Sequence, residues 1–436
     1  MDPDDRLLAE AMVPTREPLR ELLAAVIAAA VADGAVRPDD IRWAMLGTTH
    51  AMNGALERPD LKQVAAVRIG APLTRSVPPL ATWPQPLREK ISAGEVIVRG
   101  GSEYDGAMAA ELDEDAIARF LESCAGRIDG VAITGVFAPV APDHELAAAD
   151  VVRRELGSDL HVSLSHEIGT IGLLERENAT VLNAALIDPG LTLASGLRDA
   201  LAAAGIGAEL FFTQNDGTLM AFERALRFPV LMLDAGPATS MRGAAHLSGA
   251  GDALVVNAGA TATVIGVLMS GTPRESSRPE LISGVRLSLH RADVRTLPVG
   301  GAAIAGGGGV ALAAAVAQVA AAYPLPPLVV IGGAGSLVPS GLPGVSQVIR
   351  PHEGHVAHAI GAATAVVSAQ AERICADQPD RREAALADAR AAALTGAVHA
   401  GADPGAVAVI EVEEVPLTQL VVPAIRIRVK AAGPRA

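Results

Sequence analysis

The chain has 436 residues, half of them hydrophobic, enough for a sizeable core and two or three domains, which excludes disordered and fibrous classes. Lys and Arg number 35 against 49 Asp and Glu, a net charge of −14, and with no basic patch such a chain repels a phosphate backbone, so no nucleic-acid partner is expected. Two cysteines far apart, Cys124 and Cys375, rule out a disulfide framework and fit a reducing cytoplasm, while 2% aromatics leave no stacking platform for bases or sugars.

The opening MDPDDRLLAE lacks the basic-then-apolar order of a secretory leader, and the longest apolar runs, Leu22 to Val31 and Val310 to Ala322, fall short of the ~20 residues that span a bilayer. A cytoplasmic protein without a membrane partner is expected. In chain order, helical periodicity over 18–33 ends at Gly34, and 64–72 is a short apolar run punctuated by Gly and Pro. Residues 114–124 predict a helix, 130–139 a buried strand, 144–156 a helix with early carboxylates, and 161–169 a further strand, which is α/β layering.

From Gly205 the same alternation returns with more glycine: AELFFTQNDG, PVLMLDAGPATS, ALVVNAGATATVIGVLMSG and PLVVIGGAGS predict four strands, each ending in a glycine turn. Backbone N–H groups at such junctions can approach a phosphate or carboxylate. The low-complexity run at 300–323 is placed to line a nucleotide or hinge two lobes. After Ala376, a polar linker, a helix at 382–401 and the strands VAVIEVEEVPL and AIRIRVKA predict a small C-terminal α/β appendage with a structural role. The expected divisions are 1–190, 191–376 and 377–436.

Four stretches, in order, resemble the hydantoinase A/5-oxoprolinase family. They are GTTHAMNGALER at 47–58, the block from Ala138 to Ala184 with His144, Glu145, Ser163, Ser165 and Arg176, the run from Phe211 to Ala245, and VVNAGATATVIG followed by GGAGSLVPS. The resemblance implies a two-lobed actin-like (duplicated ribonuclease H-like) α/β ATPase fold and ATP-dependent opening of a cyclic amide such as a hydantoin or 5-oxoproline. It places Mg-ATP at turns containing Gly236, Pro237, Asn257, Gly259, Thr261, Thr263, Gly332, Gly333 and Gly335, and substrate near Thr48, Thr49, His50 and Asn53. It also implies a homo-oligomer or a complex with a hydantoinase B-like subunit. A degenerate or regulatory subunit and an ATP-dependent carboxylase subunit stay open as alternatives.

Two departures qualify this reading. The family's Asp-x-Gly-Gly-Thr turn would precede residues 6–15, so the expectation is that the chain begins at an internal methionine, the alternative being that this member has lost the strand. Asn257 and Val264 stand where the family has acids, and Mg²⁺ on nucleotide phosphates needs one or two carboxylates. Asp234, where the family commonly has Ser, could restore one, or could form an Asx-turn.

Two His-Glu pairs, His144-Glu145 and His166-Glu167, are candidate general acid/base groups, with helix capping as the alternative. His352, His355 and His358, spaced i, i+3, i+6, are candidate transition-metal ligands if a helix starts near Gly354, with Glu353 as an oxygen donor, or are simply exposed histidines at a helix start.

Overall fold

Continuous burial of its two central strands organises a parallel sheet of four strands, in the spatial order Ser92–Arg99, Val64–Ala71, Gly130–Gly135 and His161–Leu164. Ala65, Val67 and Ile69 point to the helices Glu114–Cys124 and Asp143–Leu156, whereas Val64 and Ala66 point to the helix Leu173–Ala185. With both faces covered, these strands read as continuous apolar runs, which is why the sequence shows them. This is a computed structural model; it describes residues 1–2, 6–12, 19–32, 36–47, 54–57, 61–169, 171–276, 278–417 and 423–436.

A second sheet runs Trp43–Leu46, Glu209–Thr213, Leu219–Ala221, Val367–Ala376, Ala424–Gly433 and Ala408–Leu417. Trp43–Leu46 lies at its edge and pairs in parallel with Glu209–Thr213, on one side only among the described residues. The C-terminal helix and strand pair are present as expected, but they extend this sheet: Ala424–Gly433 pairs antiparallel with Val367–Ala376 along its whole length, and Ala389, Ala393 and Ala397 of the helix Pro379–His399 pack beneath. The expected division at 190 falls inside the helix Ile187–Ala203, so the chain crosses between units rather than filling them in turn.

The third sheet carries the glycine turns. The hairpin Ala253–Ala258 and Thr263–Met269 is antiparallel, and Ala253–Ala258 pairs in parallel with Leu328–Ile331, which pairs in parallel with Val348–Ile349. Together the sheets give the α/β, two-lobed actin-like plan that the resemblance implies.

One predicted strand is absent. PVLMLDAGPATS forms a tight turn at Pro229–Met232 and then the helix Ala235–Ser248, because a short buried apolar run does not by itself distinguish strand from helix. The glycines ahead of Val310 also lengthen that apolar run. Among the described residues Gly301–Ala320, kinked at Gly307 with φ +109°, is the one helical stretch long and apolar enough to cross a membrane, and Leu312, Ala315, Val316 and Ala320 bury one face of it against the third sheet.

The helices Ala235–Ser248 and Ala357–Ala363 cross backbone to backbone. A Cβ on Gly243 would lie 1.8 Å from the Ala357 carbonyl oxygen, and one on Gly361 would lie 1.8 Å from that of Thr239. Neither obstacle is a flexible side chain, so the helices must separate to admit a methyl group. Gly243→Ala is expected to lower unfolding stability by about 1–3 kcal/mol in urea denaturation, and an unchanged midpoint would contradict this contact.

Candidate active site

The helix Asp143–Leu156 begins beside the carboxyl ends of the parallel strands and carries Glu145 in its first turn, where the helix dipole favours a negative charge. Glu145 has no exposed surface. Its Oε1 accepts hydrogen bonds from the Gly135 amide at 2.7 Å and the Ser165 hydroxyl at 2.5 Å. Its Oε2 accepts from the His166 amide at 3.1 Å and lies 2.6 Å from His166 Nδ1. Arg176 braces the same group from the helix Leu173–Ala185, donating to Ser165 Oγ at 2.8 Å and to the Gly135 carbonyl at 2.5 Å. Burial pulls the Arg176 guanidinium down to about 10.

The expected pairs are therefore rewired. Glu145 holds His166, not its neighbour; His144 Nδ1 instead accepts from the Gly101 amide at 2.9 Å, which makes it a structural residue, and Glu167 binds Arg227 at 2.5 Å. A carboxylate only accepts, so His166 carries its proton on Nδ1 and leaves a lone pair on Nε2.

His166 lines a cavity of about 310 Å³, the lower end of the size range of small-molecule sites. The cavity lies among the loop after His161–Leu164, the turn after Glu209–Thr213, the segment Ser288–His290 and the strands Val367–Ala376 and Ala424–Gly433. The turn forms because Gly217 adopts φ +77° and Asp216 Oδ1 accepts from the Thr218 amide at 2.9 Å, an Asx-turn that presents Gln214, Asn215 and Asp216 to the cavity. His290 faces the opposite chemistry to His166. Its Nδ1 is 2.8 Å from Arg428, which only donates, and 3.5 Å from the Glu275 carboxylate; the shorter contact sets the lone pair on Nδ1 and the proton on Nε2.

A charge network stands behind this wall. Lys430, 4% exposed, lies 2.8 Å from Asp216 and also binds Glu275. Burial opposes ionisation of Asp216, yet the Lys430 charge holds its carboxyl below the usual range; burial likewise works against the Lys430 ammonium, and Asp216 and Glu275 raise it above its ordinary value. Asp216, Arg224, Glu275, His290, Arg428 and Lys430 were not among the residues expected from the sequence. The QNDG turn and the alternation in AIRIRVKA were the visible signals, but neither says which charges meet.

The glycine turns form a separate backbone cradle. Gly332 has φ +91°, and a Cβ there would lie 2.5 Å from both the Ala258 carbonyl oxygen and Asn257 Oδ1; one on Gly300 would lie 2.0 Å from the Ala260 carbonyl oxygen. The turns interlock through Ala334 N to Ala258 O and Gly301 N to Gly259 O, at 2.9 and 3.0 Å. Gly335 N donates to Gly332 O, and the Thr263 hydroxyl is committed to the Val299 carbonyl at 2.6 Å. The amides of Ala260, Thr261 and Gly333 have no acceptor among the described residues. Such turns fit phosphate oxygens. They do not fit a magnesium ion of their own, because residues 253–269, 299–309 and 328–337 contain no Asp or Glu.

Asp234 does not make up the deficit. It forms neither an Asx-turn nor a side-chain cap; its carboxylate is bound by Arg291, and burial raises its pKa against that partner. Gly236 and Pro237 lie in the first turn of the helix that follows, which is tied to Gly47 through the half-buried His358.

The histidine triad is corrected. His352 is exposed and beside Glu353, His355 contacts Glu10 at 3.2 Å, and His358 is half-buried with Ser240 Oγ at 3.1 Å from its Nδ1. The chain passes through a tight turn at Gly354–Val356 before the helix begins at Ala357, so the three do not share a face, and no group of three metal-ligating side chains exists among the described residues. Thr48, Thr49, His50 and Asn53 lie outside the described residues.

The sequence matches the family described as Hydantoinase/oxoprolinase over residues 176–326 and its N-terminal region over residues 1–156. No curated protein matches it. Among solved structures it is similar to an ATP-dependent caprolactamase from Pseudomonas jessenii, with 16% identity and a TM-score of 0.74, covering 97% of this chain and 84% of that one. It is also similar to a nucleotide-free acetone carboxylase, from work on ATP-dependent acetone carboxylation, with 14% identity and a TM-score of 0.67 over 98% of this chain and 84% of that one. At these identities the likeness shows a shared fold.

Two half-buried imidazoles, His161 and His358, give the fold an acid limit. Burial lowers His161, at the base of the parallel sheet, from 6.5 to about 4, and lowers His358 as well. A folded pKa below the unfolded one means that unfolding takes up protons, so this stability is full above about pH 6.5 and is lost as pH falls towards 4. His161→Gln, which cannot titrate, is expected to reduce the fall in urea midpoint between pH 7 and 4; an identical fall in the variant would contradict this.

Proposed function

Because the chain belongs to the hydantoinase/oxoprolinase family, we propose that it is an ATP-dependent hydrolase opening a cyclic amide of the hydantoin or 5-oxoproline type, with the cavity beside His166 as its substrate site. The observation that carries this reading is His166 Nδ1 held 2.6 Å from the buried Glu145 while the ring lines that cavity. With its proton fixed on Nδ1, His166 takes a proton from water at Nε2, and Glu145 stabilises the imidazolium that results. His290, protonated on Nε2, supplies a hydrogen bond to the ring amide at the same cavity. The glycine turns at Asn257–Thr263, Gly300–Gly301 and Gly332–Gly335 would hold nucleotide phosphates through backbone amides. Bound nucleotide supplies a phosphoryl group, the activation that an unstrained amide needs before water attacks it. The similar caprolactamase, ATP-dependent by its description, supports this assignment.

The missing acids at Asn257 and Val264 favour a second reading, a nucleotide- or partner-binding subunit without turnover of its own. The likeness to acetone carboxylase supports a third reading, an ATP-dependent carboxylase subunit. In each case a second copy or a hydantoinase B-like subunit would complete the complex.

Phosphate release and ring opening, measured with Mg-ATP and hydantoin or 5-oxoproline, separate these readings. Release coupled to ring opening is expected, and His166→Asn should lower kcat by about 10²–10⁴ with the fold retained by circular dichroism. A variant as fast as the parent sinks the base assignment, and nucleotide binding without release selects the non-catalytic subunit.

A further inference from the structure

The charges lining the cavity can be paired off. Glu167 binds Arg227 at 2.5 Å, Asp216 binds Lys430 at 2.8 Å, and Glu372 lies 3.2 Å from Arg426. Of the cations, Arg373 binds Asp388, and Arg428 lies 2.5 Å from Glu411, 3.0 Å from Glu413 and 3.2 Å from Glu275. Arg224, on the short helix Phe222–Arg227, is the one charged residue of the wall with no ion-pair partner among the described residues. The neighbouring carboxylate that could serve it, Glu167, is taken by Arg227.

Its surroundings do not replace that partner. The guanidinium stacks over the Phe228 ring at 4.9 Å, which satisfies a face of the cation but leaves the in-plane N–H donors unused. Its Nε is buried and without a hydrogen-bond acceptor. Burial, helped by the like charge of Arg227, lowers the pKa of the group, the sign of a cation held where water serves it poorly. A cation with no ion-pair partner among the described residues and a planar fork of donors on the cavity wall is a match for a carboxylate.

We propose that Arg224 anchors a carboxylate carried by the ligand, so that the cavity selects an anionic cyclic amide over a neutral one. This rests on the cyclic-amide reading of the same cavity for the ring, but not for the anion. The anchor also orients the ring: with the carboxylate fixed at Arg224, the amide must lie elsewhere along the wall, which also carries His166 and His290.

Calorimetric titration of the full chain with three probes tests the anchor: 5-oxoproline, its neutral counterpart 5-oxoprolinamide, and glutarate, a carboxylate with no ring amide. The parent chain is expected to bind 5-oxoproline at least about tenfold more tightly than the amide, and Arg224→Gln to bind the two alike. Equal binding of both rings by the parent chain overturns the anchor and leaves the cyclic-amide reading standing. Glutarate binding that Arg224→Gln abolishes, with no binding of either ring, keeps the anchor and removes the cyclic-amide reading. No binding of any probe overturns both. Even if the variant fails to fold, equal binding of both rings by the parent chain still overturns the anchor.

Discussion

Glu145 has no exposed surface, and a carboxylate in that position persists only because donors converge on it from three directions: the strand end at Gly135, the Ser165 hydroxyl, and both the amide and the ring of His166. Arg176 ties the same strand end and the same hydroxyl to the helix Leu173–Ala185. The carboxylate therefore joins two parallel strands and two helices at the carboxyl ends of the sheet, where open α/β sheets place their ligands. His166 inherits its orientation from this junction, and with it the part of the cavity wall it forms. In a low-dielectric network of this kind each bond depends on the others, so the junction acts as a unit.

The two candidate binding regions use different physics. The glycine turns work through backbone amides and close approach, with no charge of their own, and suit a ligand that brings its own anionic oxygens. The cavity works through side chains, most of them already neutralised in pairs, and the Lys430, Asp216 and Glu275 cluster fixes the C-terminal strand to the turn at Asp216. Buried ion pairs of this sort add little net stability, but breaking one leaves a charge stranded, so they hold the geometry of the wall. The C-terminal strands, an appendage by position in the chain, thus form part of the site.

Much of the fold was legible because its signals are local. The parallel strands are covered on both faces and read as apolar runs, and the helices Glu114–Cys124 and Asp143–Leu156 begin and end close to where periodicity puts them. The run from Pro229 reads as a strand yet forms a turn, because four apolar residues carry no period. The site was half legible: His166 and Glu145 were both singled out, but each was paired with its sequence neighbour. Adjacent residues on a helix point roughly 100° apart, so His144 and Glu145 serve different surroundings, and the true partner of Glu145 lies 21 positions along the chain. Arg224 and His290 could not be found this way, since their interest lies in which partners they lack or face after folding.

One cavity holds two imidazoles in opposite tautomers, His166 ready to accept a proton and His290 ready to donate a hydrogen bond. Nitrogen-15 NMR of the histidine side chains near neutral pH, assigned with His166→Asn and His290→Asn, reads this directly. The expected spectrum shows His166 protonated on Nδ1 and His290 protonated on Nε2. The same tautomer at both positions, or a His166 with its proton on Nε2, would contradict the account.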